Sequence, residues 1–142
     1  MEKGLNEITR EIIAGAIAVH RALGPGLLES TYEACLTHEL IARGLKAETQ
    51  RPLPVVYRNV KLDCGYRLDL VVEGRVIVEL KAVEKLTPLH EAQMLSYLKL
   101  SGYPAGLLIN FNVVLLKQGI RRFLNGLQSP ATVAPRKQVP LP

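Results

Sequence analysis

Two short apolar runs joined by a Glu-Gly turn constrain this chain more than any other stretch. The first reads Gly65-Tyr66-Arg67-Leu68-Asp69-Leu70-Val71-Val72. Glu73-Gly74 follows, and the second reads Arg75-Val76-Ile77-Val78-Glu79-Leu80-Lys81-Ala82. Such a pattern predicts a hairpin of two strands. Side chains alternate faces along a strand. Glu79 and Lys81 therefore point the same way as Ile77, and Arg67 and Asp69 join them if the register allows. Two acids and a lysine then meet on one side of an otherwise apolar hairpin. Buried charge is costly unless it is paired or holds a metal, so the cluster reads as a candidate site.

Register decides whether the acids meet. A two-residue turn at Glu73-Gly74 pairs Val72 with Arg75 and separates Asp69 from Glu79. A three-residue loop, Val72-Glu73-Gly74, puts glycine in the left-handed position that such loops need. It pairs Val71 with Arg75 and Asp69 with Ile77. Asp69 and Glu79 become diagonal neighbours on one face, roughly 7–8 Å apart at the backbone. Two carboxylates at that spacing reach inward to one cation. The site requires this register or an equivalent bulge.

At 142 residues the chain fits one domain with a sizeable core. No apolar stretch approaches the roughly 20 residues that span a bilayer, and no membrane partner is expected. The first residues, Met1 to Glu7, lack a signal-peptide pattern, so a cytoplasmic location is the expectation. Cys35 and Cys64 are single and far apart, which argues against a zinc pair or a disulfide framework; both read as small buried residues. The net charge of +5 favours an anionic partner, nucleic acid first.

Asn6 to Leu23 reads as a helix with Ile8, Ile12, Ala16, Val19 and Leu23 on one stripe. A second helix runs from about Leu28 to Arg43, stopped by Gly44. Lys46 to Arg51 reads as an edge strand, and Val55 to Leu62 as a strand kinked near Arg58-Asn59. After the hairpin, Thr87 caps a third helix with Pro88 in its first turn, ending at Gly102. Ala105 to Phe111 is an apolar strand for the sheet centre. A short helix or turn and a strand through Ile120 to Phe123 follow. Leu127 to Pro142 holds four prolines in 16 residues and reads as an extended or disordered tail. The order predicts an α/β fold with a mixed sheet and helices on both faces, with residues 1–126 as the domain and 127–142 as the tail.

Gly26-Leu27-Leu28-Glu29-Ser30-Thr31-Tyr32 reads Gly-x-x-Glu-x-x-Tyr. With Val19-His20 and Leu23-Gly24-Pro25 before it, the stretch resembles the GxxExxY proteins of the PD-(D/E)XK nuclease-like superfamily. Gly65 to Leu70, Val78 to Val83, His90 to Gln93 and Leu108 to Asn112 fit in order, so the resemblance spans about residues 6 to 126. It implies a restriction-endonuclease-like core and a hydrolase of nucleic-acid phosphodiesters, DNA ahead of RNA, using Mg2+ or Mn2+. It also implies that Asp69 and Glu79 are metal ligands with the Leu80 carbonyl as a third, that Lys81 orients or deprotonates the attacking water, and that Glu29 helps hold the metal. Gln93 and Tyr97 resemble the Gln-x-x-x-Tyr motif of nuclease domains related to the RecB exonuclease. Leu68 stands where the superfamily name has proline.

The residues carry blander readings too. Asp69, Glu79 and Lys81 could form a structural ion network. Glu29 could serve only the first turn of its helix, although its spacing to Tyr32 and Leu36 puts it on the core-facing stripe. Tyr32 reads as a packing aromatic whose hydroxyl finds one partner, and His20 as a satisfied histidine. Arg67 could brace the site or meet phosphate, and Arg121-Arg122 reads as a solvated pair. The expectation is a metal-dependent nuclease. The alternative is a catalytically silent nucleic-acid-binding or accessory module on the same fold. A homo-oligomer is left open.

Overall fold

The computed structural model describes residues 3–126 and the backbone of residues 138–139. Helices α1 (Leu5–Leu23) and α2 (Glu29–Ala42) lead. Strands β1 (Ala47–Pro52), β2 (Val55–Tyr57), β3 (Val60–Leu62), β4 (Arg67–Val72) and β5 (Val76–Lys81) follow, then α3 (Pro88–Ser101), β6 (Ala105–Asn110), a one-turn 3-10 helix (Leu116–Gly119), β7 (Ile120–Leu124) and β8 (Gln138–Val139). The main sheet has the order β1-β4-β5-β6-β7-β8, parallel only between β5 and β6. That parallel pair requires a crossover, and α3 supplies it. The sequence expectation for the rest of the tail lies outside the described residues.

Each face of the sheet buries its own core. On one side Ile8, Ile12, Ala16 and Val19 of α1 and Leu36 and Leu40 of α2 pack on Leu70, Val72, Val78, Leu107 and Ile109. On the other, Met94, Tyr97 and Leu98 of α3 pack on Val71, Ile77, Leu108 and Phe123. All six residues of β6 are buried, as the apolar run predicts. Thr87 caps α3: its hydroxyl accepts the His90 amide at 3.3 Å, while His90 Nδ1 accepts the Thr87 amide. Among the described residues, no helix is long and apolar enough to cross a membrane.

The structure corrects several expectations. Val55 to Leu62 is not one kinked strand but a small hairpin, β2 paired with β3. Arg58 and Asn59 both take positive φ and close its two-residue turn. Sequence reading missed that turn because arginine seldom adopts the left-handed region. Cys64 is exposed, and Cys35 is half-buried against the α1–α2 core. Arg122 is buried and donates to Asn6 Oδ1 rather than standing in solvent, because strand alternation turns it inward while Arg121 stays half-exposed.

The hairpin register also differs. Glu73 and Gly74 both lie at positive φ, and the Arg75 amide donates to the Val72 carbonyl at 3.1 Å. The turn is therefore two residues long, but Arg75 bulges and the ladder resumes as Val72 with Val76, Val71 with Ile77 and Leu70 with Val78. One extra residue shifts the partner by one. Continued to the next position, this register sets Asp69 directly across from Glu79, not diagonal to it.

Candidate active site

The pairing of β4 with β5 stops at Leu70 and Val78. At the next position side chains replace the ladder. The Asp69 amide donates to Glu79 Oε2 at 2.8 Å, and the Leu80 amide donates to Asp69 Oδ2 at 2.9 Å. Each acid thus caps the other strand's backbone where the strands part. The two bonds fix both carboxyl groups in place. Asp69 Oδ1 and Glu79 Oε1 take no part in them.

The backbone distorts at the same level in β4 and β1. Leu70 and Val72 face the α1–α2 core, yet Leu68 packs with Val71 in the α3 core. Alternation therefore breaks around Asp69. On β1, Thr49 pairs with Leu70 and Arg51 with Leu68, and between them Gln50 sits at φ +51. A non-glycine residue there costs on the order of 1 kcal/mol or more, and such strain clusters at functional sites.

The expected single charged face is accordingly not what forms. Asp69 and Leu80 line a small depression beside α2 with Glu29, Ser30, Glu33 and Gln50. Lys81, Gln93 and Tyr97 line a larger cleft beside α3. Glu79 lines neither, and the Lys81 charge acts on both acids. Leu68 does not share the face of Leu70, Val78 and Leu80 as predicted, because of the break at Asp69. Arg67 turns to the exposed Asp63, 3.9 Å away, and leaves the acids alone.

Glu29, the first residue of α2, is exposed rather than core-facing. It still lines the depression with Asp69. The Gly-x-x-Glu-x-x-Tyr stretch has a structural logic. Tyr32 is fully buried and stacks on Phe111, ring centroids 4.4 Å apart. Its hydroxyl donates to the Gly24 carbonyl at 2.5 Å and accepts the Leu27 amide at 3.2 Å. Gly26, at φ +98, makes the turn that these bonds close. Tyr32 thereby holds the loop that sets where α2 begins, and so where Glu29 stands. Tyr32→Phe is expected to cost about 1–2 kcal/mol, because it removes both bonds that tie the buried ring to the Gly24–Leu27 loop. That corresponds to a fall of roughly 3–8 °C in thermal midpoint at this size, read by differential scanning calorimetry. An unchanged midpoint contradicts the clamp.

Glu33 and Gln50 were not singled out by sequence reasoning. Gln50 Nε2 donates to Glu33 Oε1 at 2.6 Å above Asp69. Burial first, then the charges of Asp69 and Glu29, push the Glu33 carboxyl up, against the pull of the Gln50 bond. The available signal was position: Glu33 lies one helical turn after Glu29, on the same face. In the other cleft Gln93 Nε2 donates to Tyr97 Oη at 3.0 Å. His20 is buried and donates to the Val113 carbonyl at 2.7 Å, a structural role.

Burial holds the Asp69 carboxyl above its usual range, while the Leu80 amide, the Lys81 charge and Gln50 pull it down. Glu79 is only 5% exposed, and burial together with the Asp69 charge pushes its carboxyl up to about 8. Two acids with raised affinity for protons are two acids that a cation would relieve. Among the described residues, no three His, Cys, Asp or Glu side chains form a ready metal cluster. Asp69 and Glu79 instead offer hard carboxylate oxygens side by side, a chemistry that suits a magnesium-like ion, which retains several of its waters.

The chain matches the family model of the PD-(D/E)XK nuclease superfamily over residues 6–123, and it belongs to that superfamily. Its mixed sheet with helices on both faces is the restriction-endonuclease-like arrangement. No curated protein and no solved structure matches the chain. Members of the superfamily are generally nucleases that act on nucleic acid with divalent metals such as Mg2+.

Proposed function

We propose that this chain is a metal-dependent nuclease of the GxxExxY type, acting in the cytoplasm through residues 1–126 with residues 127–142 as an appendage. The observation that carries the reading is the pair of crossed bonds, Glu79 to the Asp69 amide and Asp69 to the Leu80 amide, where the strands part. A structural ion network would pair acids with bases. Here two acids brace each other's backbone, two residues before a lysine.

Asp69, Glu79 and the Leu80 carbonyl would hold Mg2+ or Mn2+, with Glu29 reaching in from α2. A cation there would stabilise charge on the scissile phosphate and make a neighbouring water more acidic. Lys81, on the α3 side, orients the attacking water or takes its proton and meets the phosphate's charge. Gln93 positions groups beside Lys81 through its amide, and Tyr97 braces that amide.

The substrate proposed is nucleic acid, DNA ahead of RNA. The test is incubation of the pure protein with labelled single- and double-stranded DNA and RNA, in Mg2+, Mn2+ or chelator. Cleavage that needs metal is the expected result. Metal-independent cleavage contradicts the site, and binding without cleavage favours the silent accessory module.

A further inference from the structure

The cleft beside α3 has a volume of about 640 Å³, within the range of about 300–1,000 Å³ typical of small-molecule sites. Lys81, His90, Gln93 and Ser96 supply its polar groups. Tyr66, Tyr97, Leu89 and Val55 make the rest mostly apolar. Tyr66 and Tyr97 meet edge to face with centroids 6.0 Å apart. Tyr97 is buried, but Tyr66 is 45% exposed and Leu89 76%. An aromatic wall left open beside a lysine suits a planar ligand that carries negative charge.

Charge supports the same ligand. From Tyr57 to Arg67 the chain has Arg58, Lys61 and Arg67 against the single acid Asp63. Arg58 lies over the Tyr57 ring, 5.4 Å from its centroid. The small hairpin reaches the cleft through Val55 of β2, its Lys61 lines a separate groove with Asp63, and the cation in the cleft itself is Lys81. Combined stacking surface and basic charge is the chemistry of single-stranded nucleic-acid binding.

We infer that this cleft takes the base of an unpaired nucleotide, stacked on Tyr66 beside the scissile phosphate, so that the enzyme acts on single-stranded or frayed nucleic acid. The inference rests on the nuclease reading for the phosphate's place, but its base-binding part stands separately. A paired base faces its partner inside the duplex. To enter a cleft that also contains Lys81 it must first unpair and unstack, which is unfavourable. Intact duplex is therefore disfavoured close to the reacting group.

Fluorescence anisotropy tests the inference, with labelled oligothymidylate, a blunt duplex containing that strand, and an abasic strand of equal length, all in Ca2+ to limit cleavage. Wild type should bind the thymidylate strand tightest. Tyr66→Ala should weaken that binding about tenfold, in line with the loss of one stacking contact, and leave the abasic strand's affinity as it was. Tyr66→Phe should restore the thymidylate affinity. Equal affinity of wild type for all three probes, or an equal effect of Tyr66→Ala on thymidylate and abasic strands, overturns the base cleft. Hydrolysis of bis(p-nitrophenyl) phosphate in Mn2+ by wild type and Lys81→Ala reports on the nuclease reading alone. Lys81-dependent hydrolysis with base-independent binding sinks the cleft and spares the nuclease. Base-dependent binding without any hydrolysis does the reverse.

Discussion

Lys81→Ala lowers metal-dependent cleavage by about 10²- to 10³-fold, the usual loss when a charge aimed at the reacting centre is removed. Lys81 sits at the end of β5, half-buried, where it lines the α3 cleft. Its charge pulls down the carboxyl affinities of both Asp69 and Glu79. It is not a ligand, so Mn2+ binding measured by calorimetry should persist, weakened only modestly and most at low pH. The fold should persist too, since the side chain is not part of either apolar core. Cleavage at the wild-type rate removes Lys81 from the chemistry. Loss of Mn2+ binding together with cleavage makes it part of the ion's own support.

The second large effect is on stability against pH. Glu79 titrates near 8 in the folded protein, against 4.5 for an ordinary glutamate. Between those values the folded chain holds a proton that the unfolded chain has released. Stability without metal therefore is full below about pH 4.5 as far as Glu79 is concerned, and it falls as pH rises towards 8. Asp69, also raised, acts in the same direction. The shift corresponds to a loss on the order of 5 kcal/mol across the window, or roughly 15–20 °C in midpoint. Mn2+ should flatten the curve, because ligands bind metal in their ionised form and ligand binding stabilises the folded state. Melting curves in chelator at stepped pH check this. A midpoint that climbs from pH 5 to pH 8 contradicts the buried, protonated Glu79.

Much of the architecture was legible because periodicity and punctuation agreed. α3 was marked at both ends by Thr87-Pro88 and Gly102, and β6 by an unbroken apolar run. What escaped depended on single residues in unusual backbone states. Arg58 and Asn59 turn β2 into β3 with positive φ, which no propensity for arginine suggests. Arg75 bulges, so the register shifts by one and the ladder ends at Leu70 with Val78, one position short of the acids. The residue types at the site were visible, and their arrangement was not. Alternation assigned Asp69, Glu79 and Lys81 to one face, but alternation presumes a regular strand, and β4 is irregular at Asp69. Glu33 and Gln50 become relevant only once α2 and β1 are brought over Asp69, a tertiary fact without a local signature.

On the proposed function, Asp69 and Glu79 are held together for a cation rather than for each other. Thermal melting of wild type and Asp69→Asn, in chelator and in Mn2+ above pH 8, tests it directly. The asparagine oxygen can still accept the Leu80 amide, so shape and backbone support are kept while one charge goes. Without metal the variant should melt higher, by roughly 3–4 °C for a gain of about 1 kcal/mol, because Glu79 no longer ionises beside a second carboxylate. In Mn2+ wild type should rise more than the variant, since ligand-linked stability tracks affinity. If Asp69→Asn instead melts lower in chelator, as losing a partner of Lys81 would require, and gains as much from Mn2+ as wild type does, the acids are structural and the metal site is wrong.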